Sequence, residues 1–438
     1  MRNKISLTIL LSALLMLNLS FVVSGGAGKA VKRYVITDYG AIGDGQSLNT
    51  RAIQTAIDRC SAAGGGVVVV PTGTFLSGAL FLKKGANLYV EKDGVLLGSV
   101  DPADYPQVHT RWEGVEREWT SALINADGLT NLVLSGAGTI DGNGEQWVRR
   151  TAAQRRQPNA APGSSPAATA ARVPLLGRPR LICIQNSRHV RVANLKLRNQ
   201  ASWGLHLLYS EDVVVEGLTI RAEHNIPSSD GIDVDSCKHV SITRCDIDVN
   251  DDCISIKSGR DADGLRVNRP SEYIVIEHCR FAYGHGGVAM GSETSGGIRH
   301  VEVRNCVAEA GNWAPVRFKS QPSRGGVVED IVYRDIAVHD VRQVFDFNME
   351  WRMVPPIAPP AKALPLVRNV KLINISGTAN AGGIIHGLPD SPILDITFKN
   401  CKVSAQKGLI VEHARRVDFS GLDLGVKEGE PIVKKDVE

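Results

Sequence analysis

The chain has 438 residues, 43% of them hydrophobic and 22% charged, a balance that supplies a continuous apolar core and excludes a disordered polymer. Lys and Arg number 50 against 46 Asp and Glu, and a formal charge of only +4 argues against nucleic acid as a partner. Attraction for an acidic ligand must therefore come from local placement of Arg and Lys.

Residues 1–24 open with Arg2 and Lys4, continue as an apolar run from Ile5 to Val23 and lead into the small residues Ser24, Gly25 and Gly26. That order is the layout of a secretory signal peptide and predicts export, to the periplasm or beyond, with an uncleaved membrane anchor as the alternative. Loss of Arg2 and Lys4 with the leader takes the charge from +4 to +2. No Cys follows the apolar run before Cys60, which disfavours a lipid anchor. The mature chain, 25–438, is expected to be a single domain without membrane attachment, because no later segment reaches the length of a transmembrane helix. Thr50 to Ala63 reads as an amphipathic helix with Ile53, Ile57 and Cys60 on one face, stopped by three glycines at 64–66. It is expected to cap the N-terminal end of the strands that begin at VVVVP. The Pro/Ala/Gln/Arg-rich stretch 151–171 has no periodicity and reads as a flexible surface insertion.

From residue 131 onward one phrase recurs: an alternating apolar stretch, a few polar or small residues, then a second alternating stretch. It begins at Asn131, His189, Asp212, His239, Tyr273, His300, Asp330, Asn369, Asp395 and Arg416. From His189 on, starts lie between 21 (395 to 416) and 39 (330 to 369) residues apart. Variable spacing with β-branched, period-two strands predicts an all-β, right-handed parallel β-helix, a solenoid whose loops differ in length from coil to coil. Cys245, Cys279, Cys306 and Cys401 share one slot of the phrase and are expected to stack inside the core, while pairing of Cys237 with Cys253 stays open.

Strand parity separates the faces. In GLHLLYS, GIDVDS, CISIKS, GVAMGS and PVRFKS the pairs Leu205/Leu207, Ile232/Val234, Ile254/Ile256, Val288/Met290 and Val316/Phe318 point inward. His206, Asp233, Asp235, Ser255, Lys257, Arg317 and Lys319 then point outward. Immediately before three of these strands stand Asp230, the pair Asp251 and Asp252, and His285. Glycoside hydrolysis needs one protonated carboxyl and one ionised carboxylate, and clustered aspartates supply both by mutual repulsion.

With Ser228–Gly231 (SSDG), Asn250–Cys253 (NDDC), Gly284–Gly287 (GHGG) and Arg317–Lys319 (RFK) in order on successive coils, the chain resembles the polygalacturonase-type glycoside hydrolases of family 28. The opening segment TDYGAIGDG and the helix after it extend the resemblance over nearly the whole mature chain. It implies hydrolysis of α-linked galacturonic acid in pectin, with Asp251 as general acid and Asp230 and Asp252 holding the attacking water, inverting the anomeric carbon. It also implies that His285 supports the acid's protonation, and that Arg317 and Lys319 clasp a uronate carboxylate. Lys257, Arg260, His206 and Asp233 are further candidates for substrate contact, and Trp203 is either core or a sugar platform. Ser228 departs from the family's Asn, removing an amide near the water, and Phe318 replaces Ile on the core side.

The interval from 239 to 273 exceeds its neighbours, and the surplus KSGRDADGLRVNRPSE begins at Lys257. A loop there, with Arg260, Arg266 and Arg269, is expected to wall off one end of the groove and meet a chain end. Exo-acting relatives carry similar K-S-G-R-D segments, so release from a terminus is expected. Neither a cofactor nor a metal is called for, the partner is an acidic pectic polysaccharide or oligogalacturonide, and a monomer is expected. Two rivals remain: a calcium-dependent pectate lyase using the clustered aspartates, and a β-helical carbohydrate-binding protein without turnover.

Overall fold

The computed structural model describes residues 31–156, 177–352, 355–359 and 361–438. The leader at 1–24 and residues 157–171 of the expected insertion lie outside the described residues. Among them a single 30-stranded sheet system runs from Arg33 to Val437, with every pairing in it parallel, wound as a right-handed β-helix. Each central coil supplies three strands. Ile232–Asp235, Lys238–Thr243 and Asp246–Asp248 form one coil, and each pairs with its counterpart in the next, roughly 4.8 Å away.

The recurring phrase is a chain of corners. All ten of its first residues, Asn131 through Arg416, adopt φ between 52° and 58°. Its sixth residue repeats the bend at Asn194, Gly217, Arg244, His278, Asn305, Asp335, Asn374 and Asn400. Left-handed backbone is tolerated best by Gly, Asn, Asp and His, which is why those residues punctuate the β-branched stretches. Between corners the inward side chains stack coil upon coil, and the five pairs assigned to the core by parity are all buried. Cys245, Cys279 and Cys306 lie against one another in this core, and all eight cysteines are free and buried, Cys237 and Cys253 included.

Helix α1, Thr50–Ala62, closes the N-terminal end with Ile53, Ala56, Ile57 and Cys60 buried. Its Gln54 imitates a strand: Oε1 accepts from Phe81 N at 2.9 Å and Nε2 donates to Phe81 O at 3.0 Å. Two elements differ from the sequence reading. Residues 151–156 belong to helix α2, Gly144–Arg156, anchored by Trp147, whose indole donates to Ser99 O at 3.2 Å. The strands Gln107–Trp112 and Val115–Thr120 form an antiparallel hairpin lying outside the solenoid sheet.

Candidate active site

The register confirms the sequence alignment of the five strands. His206 pairs with Asp233, Asp233 with Ser255, Ser255 with Ala289 and Ala289 with Arg317, so these side chains form one outward column. Outward does not mean solvated here. His206, Asp233, Asp235, Ser255, Lys257 and Lys319 are all buried, because the hairpin and the loops between coils cover the sheet. Charges sealed from water must be paired, and their pairings define the site.

Asp230, Asp251 and Asp252 converge from adjacent coils, with one carboxylate oxygen of each within 4.8 Å of the others. Asp252 has no exposed surface and is held by Lys319 Nζ on Oδ2 and by Arg317 Nη1 on Oδ1 at 3.3 Å. Asp251 is the carboxylate that reaches the groove, its side chain 25% exposed, with His285 Nδ1 3.4 Å from Oδ1. The His285 backbone N–H donates to Asp251 O at 3.0 Å and fixes this approach. Gly286 keeps the floor open, since a Cβ there would lie 2.8 Å from Asp252 Oδ1.

Burial foremost, then the Asp233 and Asp251 carboxylates, pushes the Asp230 carboxyl well above the ordinary range. Burial acts on Asp251 in the same sense, but His285 and Lys319 outweigh it and hold that carboxyl low. Burial and like charge thus favour the protonated form of Asp230, whereas the family resemblance places the acid at Asp251.

Lys257 threads between carboxylates, 3.2 Å from Glu293, 3.5 Å from Asp233 and 3.9 Å from Asp230, with its ammonium over the Trp203 ring. Burial disfavours its charge, but Glu293, Asp233 and Asp230 together raise its pKa. Asp233 is pushed up to about 7, by burial first, against the opposing pull of Lys257. Trp203 is itself buried and packs against Trp112 of the hairpin, so it belongs to the packing beneath the groove.

His206 has no exposed surface and holds a place in the packing: it accepts from Arg180 Nη1 at 2.7 Å and lies 3.6 Å from Asp235. Arg317 and Lys319 are engaged already, Arg317 on Asp252, Asp346 and His285 O, Lys319 on Asp252 and over the Trp351 ring. They orient the Asp252 carboxylate before any ligand arrives. Ser228 takes φ 56°, a left-handed position that Asn occupies more readily than Ser.

The segment after Lys257, expected as a wall, is not a free loop. Asp261–Val267 forms a short helix, α3, that docks on the hairpin. Arg260 N donates to Gly114 O at 2.9 Å, Glu116 N donates to Asp263 Oδ1 at 3.1 Å, and Arg266 pairs with Glu116 and Asp263. Gly114 sits so close that a Cβ would lie 2.5 Å from Arg260 Cβ and 2.8 Å from Glu293 Cγ. Behind the tip, Arg111 donates to Asp235 at 2.7 Å with neither side chain exposed. Arg266 and Arg269 thus fasten this segment, Arg269 by donating to Tyr209 O at 2.8 Å, and Arg260 Nη1 lies 3.7 Å from Glu113 Oε2 at the hairpin tip. The Arg260 Nε and Nη1 are buried without a hydrogen-bond partner.

Sequence reasoning missed Glu293, Asp346, Trp351 and the hairpin. For the hairpin the signal was present: Glu113–Gly114 between alternating stretches marks a two-residue turn. The other three sit in coil-to-coil loops or in a late coil where no phrase points to chemistry.

A parallel β-helix carrying three aspartates, a histidine and two cations on one covered sheet face defines a glycoside hydrolase of the solenoid type. The family described as Glycosyl hydrolases family 28 matches residues 60–416, and the chain belongs to it. A probable polygalacturonase of Vitis vinifera is 29% identical over 406 residues, covering 90% of this chain and 78% of that one. The crystal structure of a hyperthermoactive exopolygalacturonase from Thermotoga maritima superposes with TM-score 0.73 at 30% identity, covering 93% and 92% of the two chains. A family 28 exopolygalacturonase of Yersinia enterocolitica shares the fold at TM-score 0.79 and 23% identity, covering 94% and 78%.

Proposed function

We propose that the protein hydrolyses α-galacturonosidic bonds of pectic polysaccharide with inversion, releasing short units from a chain end. The observation that carries this reading is the arrangement of the three aspartates: one at the groove, one buried, one buried and clamped by two cations. Asp251 meets the departing oxygen. It takes the cluster's proton when an anionic substrate enters, because added negative charge beside an ionised carboxylate raises its pKa. Asp230, relieved of that proton, and Asp252 then hold and deprotonate water.

One carboxylate oxygen of each aspartate lies within 4.8 Å of the others, closer than the roughly 6.5–9.5 Å usual for inverting pairs, and inversion is the outcome that the family resemblance implies. Proton NMR of the first-formed product tests this: a β-anomer supports inversion, and an α-anomer overturns it.

The segment α3 and the hairpin, packed together with Gly114 against Arg260 and Glu293, support chain-end action. Viscosity of polygalacturonate is expected to fall slowly relative to reducing ends released, and an early collapse of viscosity would show internal cutting. A lyase reading has one observation in its favour, three carboxylates spaced to hold a cation. Calcium would have to displace Lys319 and Arg317 from Asp252, and ultraviolet-absorbing product lost on chelation is the sign of that chemistry. We also infer export of a monomer through the leader at 1–24. No helix among the described residues is long and apolar enough to cross a membrane.

A further inference from the structure

Past Lys319 the outer face of the site sheet continues for several more coils, and its chemistry changes. In the column of Arg317 the next residues are Asp346, Ile384, Ile410 and Val433, and in the column of Lys319 they are Asn348, His386, Glu412 and Lys435. The covered charges of the catalytic coils give way to an open apolar strip, with Ile410 46% and Val433 47% exposed. A cavity of about 420 Å³ lies there, lined by Asn348, Glu350, Ile384, His386, Ile410 and Glu412. Its lining stands one to three coils, roughly 5–14 Å, beyond Lys319 at the sheet's inter-strand spacing.

The cations around this cavity already have carboxylate partners. His386 Nδ1 lies 2.8 Å from Glu412 and Nε2 lies 3.6 Å from Glu350, Lys435 pairs with Glu412 at 3.2 Å, and Arg352 pairs with Glu350 at 2.9 Å. Among the described residues, an ionised uronate placed here meets two carboxylates and no unpaired cation, a like-charge contact that disfavours it. An uncharged unit avoids that repulsion, and a methyl group on it packs against Ile384 and Ile410, while Asn348 and His386 offer hydrogen bonds to ring hydroxyls.

We propose that this cavity is a distal sugar site selective for a methyl-esterified galacturonate over an ionised one. The proposal rests on the pectic-hydrolase reading above and adds the esterification state of the units beyond the cleaved bond. The catalytic coils and the distal end then divide the work: Arg317 and Lys319 hold Asp252 at the reacting unit, and the apolar strip reads the chain further along.

The test uses the mature protein and two oligogalacturonides of equal length, one fully ionised and one esterified only on units remote from the cleaved terminus. KM for the esterified chain is expected about fivefold lower with kcat unchanged, the scale of one exposed charge contact plus a methyl packed at the surface. Ile410→Lys, which sets a cation on the strip, is expected to reverse the preference, and Glu412→Gln to narrow it, each with an unchanged melting temperature. Equal KM values in the wild type, or a preference that Ile410→Lys leaves intact, overturn the distal site while leaving the hydrolase reading standing. No sugar released from either oligomer removes the hydrolase reading and the distal site with it.

Discussion

His189, Asp212, His239, Tyr273 and His300 stand one above another at the left-handed corners, and His206, Asp233, Ser255, Ala289 and Arg317 stand one above another on the site sheet a few residues away. Both columns face outward, and both mix His, Asp and other polar types. The corner column is solvated: His189 and His239 approach Asp212 at 3.5 and 3.3 Å with every partner at least 40% exposed. The site column is roofed by the hairpin and the coil-to-coil loops. In water such pairs contribute little, whereas under a roof each charge must be matched or its pKa shifts. A repeat thus generates many similar columns, and the roof selects which one does chemistry.

The sharpest way to break this contrast is at the aspartates. Asp251→Asn and Asp252→Asn are each expected to lower kcat at least 100-fold with the fold intact, the scale of losing acid–base catalysis. Near-normal turnover in either variant, measured by reducing-end release, would remove the mechanism. Arg111→Ala tests the roof: stranding Asp235 without its cation is expected to cost about 3–5 kcal/mol of stability, readable by denaturant unfolding. Asp235 is held down to about 2, with burial opposing and Arg111 and His206 outweighing it, so ionised Asp235 persists across the working range.

Lys319→Ala separates two roles. If the ammonium only clasped substrate, KM alone would rise; because it also clamps Asp252, kcat is expected to fall as well, by about tenfold, the scale of lost positioning. Steady-state kinetics on polygalacturonate, with circular dichroism to verify folding, provides the readout.

A subtler effect is the pH response of stability. Burial foremost, with Arg180 and Lys257 adding to it and Asp235 opposing, depresses the His206 pKa to about 4. Between the ordinary value of about 6.5 and that depressed one, the unfolded chain binds the extra proton, so stability falls as pH drops through this window. Asp233, raised to about 7, works in the opposite sense, since its folded form keeps a proton that the unfolded chain releases, and stability from it declines as pH rises toward 7. His206→Gln is expected to flatten the acid side of a melting-temperature profile and to leave the decline toward pH 7. An unchanged acid limb would show that His206 is not its source.

The smallest effect belongs to the corner column. Asp212→Ala removes the partner of two exposed histidines and is expected to cost about 1 kcal/mol or less, with turnover unchanged. A loss of activity there would erase the distinction between the two columns.

The solenoid was legible in the sequence, because stacking is local: each phrase carries its own corners and alternation, and every coil pairs only with its neighbours. The same parity placed His206, Asp233, Ser255 and Arg317 in one outward column, and the register bears that out, while Asp230, Asp251, Asp252 and His285 were legible only as the residues that precede those strands. Burial of that face was not legible, since it depends on a hairpin at 107–120 meeting a helix at 261–267, two segments whose contact no periodicity announces. Nor was it legible that Arg266 ties α3 to the hairpin while Arg269 donates to Tyr209 O, or that burial and neighbouring carboxylates raise the pKa of Asp230. Those outcomes hang on distances of a few ångströms between side chains far apart in the chain, and tertiary structure alone sets them, because the energy of a charge depends on what surrounds it rather than on what precedes it in sequence.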